Sequence, residues 1–211
     1  MDRDFWRARW REGRIGFDEG RPNDLLVAHA RELGERSRVF VPLCGKTEDM
    51  AWLAGRGHRV VGVEFEPAAV RAFFAARGLT PEVARRGRVD AYAAGPFELL
   101  SGDFFDVTAA HLADASAVYD RASIVALPGD VRARYAARLR ELFAPGTPAL
   151  TITLEYDEAA TQGPPFSVDE AELRRVYPAS VIDLLAERRV ASGRFHAEGI
   201  AALEKAWRVV L

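Results

Sequence analysis

Apolar residues along the chain fall into short, strand-length runs separated by stretches with helical spacing. The runs predict strands at Arg38–Leu43, Arg59–Glu64, Phe97–Ser101, Ala115–Tyr119 and Ala149–Tyr156. Between them, spacing near 3.6 residues predicts helices at Thr47–Ala54, Pro67–Arg77, Arg85–Ala93 and Asp130–Phe143. Pro67 fits the first turn of its helix, where a missing N–H costs little. Ser167-Val168-Asp169-Glu170 reads as a capping box opening a helix to about Tyr177. Two late strands, near Val181–Val190 and Ala206–Leu211, suit an antiparallel pair at a sheet edge. Strands alternating with helices predict a doubly wound α/β fold, a mostly parallel sheet covered on both faces.

Ahead of this pattern lies Met1–Leu33, with Phe5, Trp6, Trp10, Phe17 and the turn-rich Gly20-Arg21-Pro22-Asn23. Trp6 and Trp10 share one face of a helix. The segment is either a helix packed on the core or a cover that excludes water from a site at the sheet's mouth. The whole is read as one domain, an N-terminal segment 1–33 and an α/β core 34–211.

The 211 residues allow a substantial core, and 49% of them are hydrophobic, an ordinary globular value. A net charge of −2 offers no basic field for nucleic acid. No apolar run approaches the ~20 residues that cross a bilayer, and the opening Met1-Asp2-Arg3-Asp4-Phe5-Trp6 is too charged for a signal peptide. One cysteine, Cys44, cannot form an internal disulfide and suits a reducing cytoplasm. Oligomeric state leaves no mark, and a monomer is the default expectation.

Val39-Phe40-Val41-Pro42-Leu43-Cys44-Gly45-Lys46, then Val60-Val61-Gly62-Val63-Glu64, carries the chemistry. Open α/β sheets bind ligands beyond the carboxyl ends of their strands. Gly45 lets backbone pass close to a ligand, and Glu64, roughly 20 residues on, stands where such folds place an acid on ribose hydroxyls. A dinucleotide needs a Gly-x-Gly-x-x-Gly turn for its pyrophosphate. Here one glycine precedes Glu48 and Asp49, acids that repel pyrophosphate yet suit a helix N-terminus. S-adenosylmethionine has no phosphate and carries a sulfonium and an ammonium, so the turn favours it over NAD. A third strand end, Gly102-Asp103-Phe104-Phe105-Asp106, offers an acid and an aromatic to an adenine.

These blocks resemble the thiopurine S-methyltransferase family, bacterial type. The likeness rests on Val41-Pro42-Leu43-Cys44-Gly45-Lys46, Trp52-Leu53-Ala54 with Gly57-His58, Val61-Gly62-Val63-Glu64 and Gly102-Asp103-Phe104-Phe105-Asp106. Val118-Tyr119-Asp120-Arg121-Ala122, Ile152-Thr153-Leu154-Glu155-Tyr156, Gly163-Pro164-Pro165-Phe166-Ser167-Val168 and Phe5-Trp6 with Trp10 and Ile15-Gly16-Phe17 extend it over nearly the whole chain. Asn23-Asp24 and Glu66-Pro67 depart from the usual pattern. The resemblance implies a seven-stranded class I methyltransferase core with an N-terminal helical lid. It further implies methyl transfer from S-adenosylmethionine, leaving S-adenosylhomocysteine, to the sulfur of aromatic or heterocyclic thiols. Trp10, Leu43, Glu64 and Arg121 would then contact the cofactor or border the transfer site, Asp103 and Phe104 would surround the adenine, and Phe17 would lie under the lid beside the substrate.

Methyl transfer to a thiolate needs alignment and dryness and little acid–base chemistry. No metal site is expected, and His29, His58, His111 and His196 read as surface or turn residues. Arg121, just past its strand, is the candidate catalytic group. Its charge would lower a thiol's pKa and orient an anionic heterocycle; an ion pair with Asp120 or Asp106 is the structural alternative. Cys44 reads as a small buried hydrophobe and Lys46 as a solvated turn residue. Halide, selenium or tellurium nucleophiles form a second acceptor class, while an NAD-linked domain and a noncatalytic cofactor-binding module are the competing readings.

Overall fold

A computed structural model describes residues 3–12 and 20–211, with side chains from Phe5 onward. Its helices and strands follow in the order α1 (Arg3–Arg11), α2 (Asp24–His29), β1 (Arg38–Val41), α3 (Glu48–Gly55), β2 (Arg59–Glu64), α4 (Pro67–Ala75), β3 (Glu82–Arg86), β4 (Val89–Ala94), β5 (Phe97–Ser101), α5 (Ala109–Leu112), β6 (Ala115–Arg121), α6 (Gly129–Leu142), β7 (Pro148–Tyr156), α7 (Glu170–Val176), β8 (Val181–Arg189), α8 (Gly193–Ala197) and β9 (Ala202–Val210). Two compact units account for them, one holding Gly34–Ala117 with the described residues before Asp24, the other Asp24–Leu33 and Val118–Leu211.

In the first unit the strand order is β3-β4-β5-β2-β1. β1 and β2 run parallel from Arg38↔Arg59 to Val41↔Gly62, and β2 and β5 from Val60↔Phe97 to Glu64↔Ser101. All four residues of β1 and the last five of β2 are buried, as expected of strands covered on both faces. Thr47 caps α3, its hydroxyl accepting the Asp49 N–H at 3.3 Å. Glu66 caps α4 ahead of Pro67. Gly62 is dictated by crowding, since a Cβ there would meet the Cys44 sulfur at 2.7 Å and Leu99 Cδ2 at 2.8 Å.

Two expectations are corrected in this unit. Arg85–Ala93 is no helix but most of a hairpin, β3 and β4, paired from Glu82↔Ala93 to Arg86↔Val89. Gly87, at φ 60°, supplies the left-handed residue of the two-residue turn. Alanine and arginine favour helix locally, but Val89 and Ala91 alternate into the core and tertiary burial overrides that propensity. β3 is exposed throughout and its charges protect an edge. The hairpin raises the strand count to nine where seven were expected.

In the second unit the order is β6-β7-β9-β8. β6 and β7 are parallel, whereas β7/β9 and β8/β9 are antiparallel, which places β8 at the edge as the sequence predicted. With β3/β4 and β4/β5 also antiparallel, the sheet is mixed, not mostly parallel. Trp207 is buried between strands, its indole N–H donating to Thr153 Oγ at 2.8 Å. The cap of α7 also differs from expectation. Asp169 accepts the Glu172 N–H at 2.7 Å, and Ser167 Oγ instead accepts the Tyr156 N–H at 3.0 Å.

Candidate active site

At the carboxyl edge of the first unit's parallel strands, three backbone and side-chain links draw the predicted residues together. The Cys44 N–H donates to the Val63 carbonyl at 2.9 Å, tying the turn after β1 to the end of β2. The Gly45 N–H donates to Glu64 Oε2 at 3.0 Å. The Gly102 N–H donates to the Glu64 carbonyl at 3.0 Å, which brings Asp103 to the same edge. Gly102 is held to glycine by β4, because a Cβ would lie 2.6 Å from Val89 Cγ1.

Two residues of this turn are left-handed, Leu43 at φ 46° and Gly45 at φ 53°. Glycine adopts this freely, but a branched side chain such as leucine does so at a cost of order 1 kcal/mol. Strained backbone of this kind persists where surroundings over-determine it and gathers at ligand sites.

Glu64 is 5% exposed. Its Oε1 accepts the Glu66 N–H at 2.8 Å while Oε2 accepts that of Gly45. Burial pushes its carboxyl up to about 7, against the pull of these amide donors. Each oxygen keeps lone-pair capacity, so the group can also accept from a vicinal diol. Burial and the neighbouring Glu64 charge push the Cys44 thiol well above its ordinary value. A thiol so held is a packing residue and no nucleophile.

The acids of the following helix are spoken for. Asp49, fully buried, accepts the Asn23 N–H at 2.7 Å, and Glu48 pairs with Arg77 at 2.8 Å. The α3 N-terminus thus presents acids to its surroundings and no second or third glycine of a pyrophosphate-binding turn. Asn23–Asp49 had no local signature in the sequence.

Asp103 accepts the Phe105 N–H at 2.9 Å and caps a short 3-10 turn. The Phe104 ring is 5% exposed and stacks on Phe40 with centroids 6.4 Å apart. Trp10 lies on α1, half-buried like Trp6. Phe17 falls outside the described residues.

Arg121, in the second unit, closes β6 opposite Ile152 of β7. Its neighbour Asp120 is fully buried and directs Oδ2 to the Tyr135 hydroxyl at 2.7 Å, while Asp106 accepts from Arg88 at 3.2 Å. His58, read as a surface or turn residue, follows the turn at Gly57 but is buried, with Nδ1 3.0 Å from Ser37 Oγ. The second unit also holds an open groove of about 1480 Å³ near Arg132, Tyr156 and Glu172. None of the described predicted site residues lines it, and its five carboxylates against three guanidinium groups disfavour a thiolate.

Comparison with known proteins decides between the adenosine ligands. The thiopurine S-methyltransferase family model matches residues 1–210. The chain belongs to that family. It is 44% identical over 211 residues to the thiopurine S-methyltransferase of Xanthomonas axonopodis pv. citri, covering 98% of this chain and 97% of the relative. Identity to the Azotobacter vinelandii enzyme is 46% over 178 residues, 83% of this chain and 82% of the relative. Among solved structures, the fold matches the Burkholderia thailandensis 1,6-didemethyltoxoflavin-N1-methyltransferase, bound to S-adenosylhomocysteine, with a TM-score of 0.66 at 18% identity, covering 99% of this chain and 87% of that one.

Proposed function

We propose that the protein transfers the methyl group of S-adenosylmethionine to the sulfur of an aromatic or heterocyclic thiol, as its thiopurine S-methyltransferase relatives are named for doing. The observation that carries the cofactor is the buried Glu64 carboxylate, held by Gly45 and Glu66 at the edge where the acidic, single-glycine turn excludes pyrophosphate.

When bound, S-adenosylmethionine supplies a methyl group activated by its sulfonium. Glu64 would accept the two ribose hydroxyls, Leu43 and Gly45 would border the cofactor with left-handed backbone, and Asp103 and Phe104 would flank the adenine. Trp10, on α1, would belong to an N-terminal lid that keeps water from a reaction that disperses charge, and Phe17, the expected substrate neighbour under that lid, lies outside the described residues. Arg121 is the residue that meets the acceptor, and it contacts the cofactor as well. Its guanidinium lowers the thiol's pKa, so that a thiolate forms at neutral pH, and orients an anionic ring. With the acceptor held as a thiolate by Arg121, no general base would be needed among this chain's residues.

We read the protein as a single-domain cytoplasmic monomer acting on small molecules. The reading is supported by the net charge of −2, the buried lone cysteine and, among the described residues, no helix long and apolar enough to cross a membrane. The experiment is an acceptor panel: a thiopurine, a simple aryl thiol, selenite and iodide, with labelled S-adenosylmethionine. We expect turnover of the thiols and a roughly tenfold to hundredfold loss of it in Arg121→Ala. Turnover of selenite or iodide alone would replace the acceptor class, and full activity in Arg121→Ala would remove that residue from the reaction.

A further inference from the structure

We propose that the buried Asp120–Tyr135 pair is a positioning element for the thiol-methylating reaction, clamping the backbone from which Arg121 projects. The inference rests on the reading that Arg121 serves the acceptor.

A carboxylate with no exposure is costly, and an apolar side chain would pack β6 against its neighbours without that cost. Asp120 does something an apolar residue cannot. It accepts the backbone N–H groups of Ser123 and Ile124, the latter at 3.3 Å on Oδ1, and so closes a ring over Arg121 and Ala122. The chain needs that closure, because Ala122 sits at φ 62°, a left-handed conformation that an alanine does not hold unaided. Upstream, the Arg121↔Ile152 pairing with β7 fixes the other side of the same residue. Arg121 is thereby pinned between a sheet register and a side-chain clamp.

Tyr135, fully buried on α6, orients the clamp. Its hydroxyl donates to Asp120 Oδ2 at 2.7 Å, and the Ser123 hydroxyl completes the cage. Tyr177, at the end of α7, faces the same carboxylate, and its buried hydroxyl has no hydrogen-bond partner among the described residues. The titratable groups around Asp120 are thus Tyr135 from α6 and Tyr177 from α7, with Ser123 from the intervening turn, and both phenols stay neutral because burial pushes them well up. Burial likewise raises Asp120 to about 6, despite the four hydrogen bonds that pull it down. Protonation weakens the acceptor, so the clamp loosens on the acid side.

The test is a cycle of variants assayed for methyl transfer to an aryl thiol, with S-adenosylhomocysteine affinity measured by calorimetry. Tyr135→Phe should lower kcat/KM about tenfold, the loss of one charge-assisted hydrogen bond, with the dissociation constant unchanged. On an Arg121→Ala background the same substitution should cost no further activity. Asp120→Asn keeps the shape and an acceptor for Ile124 and guards against misfolding of the phenylalanine variant; at saturating S-adenosylmethionine, where Glu64 no longer limits binding, it should lack the fall in thiol kcat/KM expected of the native enzyme below about pH 6. A second tenfold loss on the Arg121→Ala background, or native kcat/KM in Tyr135→Phe, overturns the positioning role while leaving Arg121 in place. Full activity in Arg121→Ala removes both.

Discussion

The Glu64 carboxylate reaches back across 19 residues to hold the Gly45 N–H at 3.0 Å. The glycine turn and the acid that the sequence separates are therefore one object in the fold, and the acid shapes the turn before any ligand arrives. Its other oxygen holds Glu66, so a single side chain sets the exits of β1 and β2.

That double duty predicts a pH dependence. Burial raises Glu64 to about 7, so below that pH the free protein holds it protonated. Ribose hydroxyls donate to the carboxylate and favour the ionised form, which makes the bound pKa lower than the free one. Binding then releases a proton as pH falls through 7, and the S-adenosylhomocysteine dissociation constant should rise by up to about tenfold per pH unit between 7 and 5.5. Calorimetry across that range is the check. A flat profile in the native protein would remove Glu64 from the ribose, and Glu64→Gln should be both weak and flat.

Cys44 should be inert. With its thiol buried and pushed up by burial and by Glu64, little thiolate exists at pH 8. Native protein is expected to resist iodoacetamide for hours and to react within minutes once unfolded in guanidinium. Rapid labelling of the folded protein that tracks loss of activity would instead make the thiol part of the site.

Much of this was legible beforehand, for a physical reason. β2 and β5 were read to the residue because largely buried strands are near-continuous apolar runs bounded by polar turns. The β3–β4 hairpin was not, since Glu82–Arg86 is exposed on an edge and shows no apolar alternation, while its alanines and arginines mimic a helix. For the site, the spacing of Gly45 and Glu64 carried the cofactor reading. The Asp120–Tyr135 and Asn23–Asp49 bonds join residues 15 and 26 apart, and no periodicity marks such pairs. Phe104 shows the opposite limit, because an aromatic in a motif looks like a ligand contact until its stacking on Phe40 reveals a core role as well.

Stability and chemistry should separate at Arg38. Its side chain is 7% exposed at the start of β1, the edge opposite the glycine turn, and it bonds Glu98 at 2.9 Å and Asp114 at 2.8 Å. Arg86 and Arg59 hold the same two acids, so neither is left unpaired when Arg38 is removed. Arg38→Met should cost about 1–2 kcal/mol, near the low end for a buried charge-assisted pair, read by urea titration. Kinetic constants of the folded fraction should stay native, and a changed KM for S-adenosylmethionine would contradict the assignment of the site to the other edge.

Gly62→Ala is the sharper probe, because the added methyl has nowhere to go. The 2.7 Å approach to Cys44 Sγ and 2.8 Å approach to Leu99 Cδ2 are closer than any tolerated carbon contact, and the two obstacles lie on opposite neighbours of β2. Leu99 is fully buried and cannot swing away. Cys44 can yield only by moving the turn that carries Leu43 and Gly45, whose amide is fixed to Glu64. Overpacking of this kind costs about 1–3 kcal/mol, and part of it should be spent on the cofactor edge. We expect both a lower urea midpoint and a weaker S-adenosylhomocysteine affinity. Gly62→Ala combined with Cys44→Ala, which removes the sulfur, should recover much of the affinity. If the double variant binds no better than Gly62→Ala alone, the strain runs through Leu99 and the turn is not the element displaced.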